Sequence, residues 1–133
     1  MKYKDKLQCG SIYHIYNRGN NRESLFKEER NYYYFLDLYK KYLHPIVYLY
    51  AYCLLPTHFH LMVRIKEWEK IENCINNENH IWLKFRNFLG TYTKAIYKAY
   101  RRSGHLFVSR YSRRLVNKDQ YFFKLIIYIH QNP

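Results

Sequence analysis

The sequence predicts an α+β domain in which an antiparallel β-sheet carries helices on one face. Segments rich in β-branched and aromatic residues alternate with segments of helical periodicity, in the order β-α-β-β-α-β-α. Two consecutive extended segments, 46–55 and 58–66, are separated only by Pro56-Thr57, which favours a hairpin. The chain has 133 residues, 48% of them hydrophobic, which is enough for one domain with its own core. We therefore expect a single domain over residues 1–133.

The first half of the chain begins with a strand, a turn and a helix. Residues 11–17 are β-rich, and the sequence RGNN that follows at 18–21 is typical of a turn. Residues 28–43 carry apolar side chains at helical spacing, with acidic residues in the first turn, and Pro45 ends this helix. Pro56 then forms either the turn of the predicted hairpin or a bulge.

The second half contains two more helices. Residues 67–80 are polar and predict a loop with at most one helical turn. Residues 82–102 place aromatic and aliphatic side chains on one side of a helix, and 106–116 predict a pair of short extended segments. Asp119 is a suitable N-cap for a last helix over 120–130.

Composition points to an anionic partner. The 23 Lys and Arg residues outnumber the 10 Asp and Glu residues, giving a net charge of +13, and nucleic acid is the usual partner of such a chain. The three cysteines show no metal-binding or disulfide spacing, so reduced thiols are the simplest interpretation. The N-terminus does not look like a signal peptide, and no apolar run reaches the roughly 20 residues of a membrane span. We expect a cytoplasmic, nucleoid-associated protein with no membrane partner.

The most informative motif is a pair of histidines in an apolar segment. His58 and His60 are two residues apart, so in a strand both face one side of the sheet while Phe59 faces the other. Two adjacent imidazoles can bind one divalent metal ion. An alternative is that one or both are ordinary core or surface histidines, since such pairs also occur by chance.

Further ligands and a nucleophile are candidates at the C-terminal end. Tyr128 and Asn132 are four residues apart, so on a helix they share a face. Asn132 can complete a His-His-Asn site, which suits Mg²⁺ or Mn²⁺, with Mn²⁺ the better match to imidazole. Tyr128 is then a candidate nucleophile for phosphodiester chemistry, in which a metal orients the phosphate. The alternative is a simple helix end, with Asn as cap and Pro as stop.

A long basic segment with interleaved aromatic residues predicts a nucleic-acid surface. Residues 82–118 contain ten Lys and Arg residues and no Asp or Glu. Cations bind phosphates and exposed aromatic rings stack on unpaired bases, so a hairpin or other single-stranded target fits better than plain duplex. The predicted DNA-binding residues are Arg18, Lys94, Lys98, Arg101, Arg102, His105, Arg110, Arg113 and Arg114. His14, Asn17 and Asn20, near Arg18, either line the site or serve the turn.

Three segments resemble a known family. They are YHIYNRGNN at 13–21, YAYCLLPTHFHLMV at 50–63, and the stretch from RSGHLF at 102–107 to YIHQNP at 128–133. Together they resemble the single-tyrosine HUH transposases of insertion sequences, and within them the REP-associated tyrosine transposases. The resemblance covers nearly the whole chain.

The resemblance implies a ferredoxin-like, HUH endonuclease-type fold. It implies that His58 and His60 bind the divalent metal, that Tyr128 is the nucleophile and that Asn132 completes the metal site. The implied reaction is cleavage of single-stranded DNA at or near a hairpin, with a 5′-phosphotyrosine intermediate and a free 3′-OH that allow rejoining. Family members usually continue past the Asn-Pro motif, so a short missing C-terminal extension is one alternative. Some members are homodimers and others are monomers, and the sequence favours neither.

Other functions remain open. The chain is alternatively a non-catalytic or domesticated protein that binds DNA hairpins with a degenerate site. A related replication or mobilisation nickase fits the histidine pair, although such relatives order their motifs differently. A plain RNA-binding α+β domain would leave the histidine pair without a role.

Overall fold

A computed structural model describes residues 5–67, 78–117 and 119–131 of the chain. Its elements follow the predicted order. They are β1 (Ile12–Arg18), a 3-10 turn (Asn20–Arg22), α1 (Glu29–Tyr42), β2 (Val47–Leu55), β3 (His58–Ile65), α2 (Glu78–Tyr100), β4 (Ser112–Leu115) and α3 (Asp119–Gln131). Most boundaries lie within two residues of the predicted ones, and two larger differences stand out. Helix α2 begins at Glu78 rather than at 82, and the predicted extended pair over 106–116 contains one short strand, β4, after a loop.

The four strands form one antiparallel sheet with the order β2-β3-β1-β4. This order, with one helix between β1 and β2 and another between β3 and β4, is the ferredoxin-like arrangement that the sequence predicted. Pro56-Thr57 is the turn of the β2–β3 hairpin, because Leu55 pairs directly with His58. The bulge in this hairpin lies elsewhere, between Leu49 and Ala51.

Helices α1 and α2 pack on one face of the sheet. Alternate residues of the two central strands point to this face, and Tyr13, Ile15, Phe59 and Leu61 are almost fully buried there. The ring of Phe35 from α1 lies at the centre of the cluster, against Phe59, Phe88 and Tyr92, with ring centroids 4.8–5.3 Å apart. This face holds the main hydrophobic core.

Helix α3 covers the opposite face, so the prediction of helices on one face only was wrong. Leu125 of α3 packs with Ala51, Cys53 and Met62 in a second, smaller cluster. Met62 and Cys53 alternate with core-facing residues, so this apolar patch lies behind the sheet and needs its own cover. The patch is assembled from two strands only once they are paired, which is why periodicity along one segment did not reveal it.

No helix in the described part of the chain is both long and apolar enough to cross a membrane.

Candidate active site

A cleft opens where β1 ends and β3 begins, on the face of the sheet that α3 covers. The antiparallel register places His58 opposite Arg18 and His60 opposite Tyr16. Directly paired residues share a face, so side chains from both strands enter the same space. The cleft has a volume of about 680 Å³. The residues in its lining that carry chemistry are Arg18, Arg22, Thr57, His58, His60 and Tyr128.

The two histidines lie side by side, as the strand periodicity predicts. Their ring centroids are 5.2 Å apart and the rings are nearly perpendicular, while Phe59 between them is buried on the other face. Nδ1 of His58 lies 3.1 Å from the hydroxyl oxygen of Thr57. Nε2 of His60 is buried and has no hydrogen-bond partner within residues 5–67, 78–117 and 119–131. A buried ring nitrogen left in this way is costly unless a ligand uses it.

His14 is the direct partner of His60. Its Nε2 lies 2.8 Å from Nδ1 of His60. The His14 ring is only 8% exposed and stacks on Tyr16, with centroids 4.4 Å apart. From the sequence, His14 was expected either to line the site or to serve the turn, and its contact with His60 could not be predicted because it depends on the register of β1 against β3. The feature of the sequence that pointed to this contact was the presence of one histidine, His14, in the first predicted strand and another, His60, in the third.

The environment keeps these imidazoles neutral. Burial, followed by the nearby charges of His60 and Arg114, lowers the pKa of His14 to about 3. Burial and His58 lower the pKa of His60 to about 4. Burial and then the Arg18 guanidinium also lower the pKa of His58. Neutral imidazole is the form that binds metal ions, so the ring nitrogens are available at neutral pH.

Helix α3 brings Tyr128 to the histidines. The Tyr128 ring lies edge-on to His60 with centroids 5.6 Å apart, and its side chain is 47% exposed. Leu125, three residues earlier on the same side of the helix, is buried in the patch beneath α3 and so fixes this face towards the sheet. Tyr111 and Tyr121 are the next candidates for a nucleophile if Tyr128 is not the attacking residue, and neither lines the cleft. Tyr111 is buried and stacks on Phe85, and the ring of Tyr121 lies under Arg114.

Two arginines flank the cleft at the end of β1. Arg18 and Arg22 both line it, and both side chains are exposed to solvent. The chain turns sharply between them, with Arg22 in a left-handed conformation (φ 59°). A Cβ at Gly19 would overlap the carbonyl oxygen of Glu23, so only glycine fits this close approach. The turn therefore holds two cations beside the histidine pair.

The other predicted DNA-binding residues are spread over the surface around the cleft. Lys94 and Lys98 on α2, and Arg101 just after it, are exposed and do not line the cleft. His105 and Arg110 line a second pocket that adjoins it. The DNA-binding roles of these residues stay predictions.

Three predicted DNA-binding arginines have contacts within the protein. Arg102 forms an ion pair with Glu23 and lies over the ring of Tyr97. Nε of Arg113 donates to the carbonyl oxygen of Asp5 at 2.8 Å, and the guanidinium of Arg114 lies 4.5 Å from the centroid of Tyr121. These contacts give each side chain a structural role, and their part in DNA binding also stays a prediction.

The predicted metal site is described only in part. Asn132 lies outside the described residues, and within those residues no group of three or more His, Cys, Asp or Glu side chains is placed to hold a metal ion. The two neutral imidazoles nevertheless fit as two ligands. Nε2 of His60 is buried without a partner in the described chain, and the hydrogen bond between its Nδ1 and His14 orients the ring.

Comparison with solved structures finds a similar fold. The chain aligns with a structure of a REP-associated tyrosine transposase bound to a REP hairpin, with a TM-score of 0.67 and 13% sequence identity. The alignment covers 98% of this chain and 70% of that chain. No protein-family profile and no curated protein matches the sequence. At 13% identity the likeness shows the fold, and the predicted α+β fold with an antiparallel sheet is confirmed.

Proposed function

We propose that this protein is a metal-dependent transposase that cleaves and rejoins single-stranded DNA at or near hairpins. The observation that carries this proposal is the convergence of Tyr128 from α3 with His58 and His60 from β3 in one cleft. These residues come from different elements, and their meeting beside two exposed arginines is what tyrosine attack on a phosphodiester requires.

The chemistry follows from the residues around the cleft. The hydroxyl oxygen of Tyr128 attacks the phosphorus, the bond from phosphorus to the 3′ oxygen breaks, and a 5′-phosphotyrosine and a free 3′-OH result. The phenol proton passes to solvent, because Tyr128 is half-exposed, and the leaving oxygen takes a proton from solvent. Arg18 and Arg22 bind the non-bridging phosphate oxygens. Attack of the 3′-OH on the phosphotyrosine reverses the step and permits rejoining.

His58 and His60, with Asn132 as the proposed third ligand, would hold Mg²⁺ or Mn²⁺. Such an ion, when bound, neutralises phosphate charge and orients the phosphate for in-line attack. His14 acts as a positioning residue. Nε2 of His60 must present a lone pair to the metal, so its Nδ1 carries the proton and donates it to Nε2 of His14.

The partner supported best is single-stranded or hairpin DNA. The net charge of +13 and the exposed cations of α2 suit a polyanion. The structural neighbour was solved bound to a REP hairpin, and by analogy of fold a hairpin is the substrate to test first.

The test is a denaturing-gel assay with end-labelled hairpin DNA taken from beside the gene, in Mn²⁺ or Mg²⁺. Wild-type protein should form a protease-sensitive adduct that depends on metal, and Tyr128→Phe should form none while it still binds the hairpin. Tyr33→Phe, an exposed tyrosine on α1, is the matched control and should react normally. An adduct with Tyr128→Phe would show that another tyrosine is the nucleophile. Hairpin binding without any adduct would indicate a DNA-binding protein that has lost catalysis.

A further inference from the structure

A second pocket lies beside the cleft, between α2 and the loop over 105–111. It has a volume of about 470 Å³ and shares Asn17 and Val108 with the cleft. A polymer whose phosphate occupies the cleft would therefore reach this pocket across a common wall.

The wall of the pocket is held firmly in place. The hydroxyl of Tyr97 on α2 donates to the carbonyl of Gly104 and accepts from the backbone N–H of Leu106 at 3.1 Å. The side chain of Asn17 donates to the carbonyl oxygen of Ser109 at 2.8 Å. The backbone N–H of Val108 donates to the carbonyl of Arg18 at 3.0 Å. The pocket is thus a built feature, tied both to a helix and to the end of β1.

Gly90 leaves space in this pocket at a position where glycine is otherwise unfavourable. It lies inside the 23-residue helix α2 and is not among the residues with positive φ. A Cβ at Gly90 would meet no atom within 4 Å, so neither backbone conformation nor close packing requires glycine there. Glycine in a helix interior costs about 1 kcal/mol relative to alanine. Glycine at this position leaves the side of the pocket formed by α2 open.

The lining has the chemistry of a site for a planar base with an attached phosphate. The guanidinium groups of Arg86 and Arg110 both lie near the ring of Trp82, with their central carbons 5.5 and 5.8 Å from the ring centroid. Phe107 and Tyr97 add further aromatic surface, and the lining contains no carboxylate. Aromatic rings stack on bases and arginines bind phosphates, as in other sites for single-stranded nucleic acid.

We propose that this pocket binds one unstacked base of the single-stranded DNA next to the phosphate in the cleft. This inference rests on the proposed function and extends it, because it assigns a second contact on the DNA. Gly90 keeps the pocket open for the base, and the pocket contributes to the choice of the cleaved position.

The test compares Gly90→Leu with Gly90→Ala. Leucine would extend into the pocket, whereas alanine would leave most of it open. Both variants should fold at least as stably as wild type, because each replaces a glycine in the interior of a helix. We expect Gly90→Leu to bind the labelled hairpin with its single-stranded flank about tenfold more weakly than Gly90→Ala. A series of DNAs, each with an abasic site at a different flank position, should weaken binding to Gly90→Ala at one position. The DNA with its abasic site at that position should bind Gly90→Leu almost as tightly as the intact DNA does. Equal binding by the two variants would overturn the proposal.

A second measurement separates this proposal from the proposed function. Mononucleotides added to ¹⁵N-labelled wild-type protein should shift the amide signals of Gly90 and the indole signal of Trp82, and Gly90→Leu should lose these shifts. Shifts without any Tyr128 adduct would support the pocket and count against the transposase activity. An adduct with equal cleavage by Gly90→Leu and Gly90→Ala, and no shifts, would refute the pocket and leave the activity standing.

Discussion

The face of the sheet that packs on α1 and α2 is filled with large aromatic and aliphatic side chains, whereas the face that α3 covers carries histidines and arginines around a cleft. Phe35, Phe59 and Phe88 are almost completely buried on the first face. On the second, only a small cluster around Met62 and Leu125 anchors α3. The two faces share the same strands, so alternate residues of β1 and β3 serve stability on one side and chemistry on the other. Substitutions on each face would separate the effects on stability from the effects on chemistry.

The largest expected effect is on the chemical face. His58→Ala combined with His60→Ala should abolish metal-dependent cleavage, because both proposed imidazole ligands are lost. The thermal unfolding temperature should change little, since neither ring belongs to the main core. Cleavage assays across a Mn²⁺ series, alongside thermal unfolding, would check this. Retained metal-dependent cleavage would place the metal elsewhere.

The largest effect on stability should come from the packed face. Phe35→Ala removes a ring that contacts four other aromatic rings, so we expect a loss of about 3–5 kcal/mol in the free energy of unfolding. Urea unfolding of the variant beside Tyr33→Ala, which changes an exposed residue of the same helix, measures the difference. Similar losses for the two variants would contradict the assignment of the core.

His14 has two roles, because it packs against Tyr16 and also forms a hydrogen bond with His60. His14→Phe keeps a stacked ring but removes the acceptor for His60 Nδ1, so we expect about 10–100-fold weaker Mn²⁺ binding by calorimetry. His14→Gln can restore an acceptor and should recover part of the affinity. The ¹⁵N NMR spectrum of His60 should also change from the Nδ1-protonated form towards the Nε2-protonated form in His14→Phe. Unchanged affinity and spectrum would assign His14 a packing role alone.

A smaller difference is expected between Arg18 and Arg102 in the salt dependence of hairpin binding. Arg18→Gln should weaken hairpin binding and reduce the salt dependence of log K by about 0.7–0.9, the change expected for one lost phosphate contact. Arg102→Gln should lower stability through its lost ion pair with Glu23, and it should reduce the salt dependence of binding less than Arg18→Gln does. Binding titrations at several salt concentrations would test both variants. An equal loss of salt dependence in Arg102→Gln would show that this residue also contacts DNA.

The smallest effect is a dependence of stability on pH. The pKa values of His14 and His60 fall from 6.5 to about 3 and about 4 in the folded protein. Below pH 6.5 the unfolded chain therefore binds protons that the folded protein does not, and the free energy of unfolding decreases. We expect a decrease of roughly 0.5–1 kcal/mol per histidine from about pH 7 to pH 6. The slope should be smaller in His14→Phe. A rise in stability on acidification would contradict neutral, buried imidazoles.

Much of this arrangement could be predicted from local patterns. Period-2 alternation correctly placed His58 and His60 on one face and Phe59 on the other, because side-chain direction in a strand depends only on sequence spacing. Helical periodicity identified α1 and α2, and Asp119 as a suitable N-cap predicted α3. Tyr128 was also predicted, and it lies in the cleft.

What the sequence did not reveal depends on contacts between elements. The bond from His14 to His60 requires the register of two strands that are far apart in the chain. The position of α3 depends on an apolar patch that two paired strands create, and the intramolecular partners of Arg102 and Arg113 depend on loop packing. Gly90 carried no local signal either, since open space beside a helix is visible only in three dimensions.

The position of Asn17 between the cleft and the second pocket limits which substitutions the protein can accept. Its side chain is buried, donates to Ser109 and accepts from the backbone of Arg18, so it joins the wall of the second pocket to the strand end beside the histidines. Substitution of Asn17 would disturb the cleft and the second pocket at the same time. Changes in the proposed DNA specificity are therefore expected at exposed positions of α2 such as Arg86, rather than at Asn17.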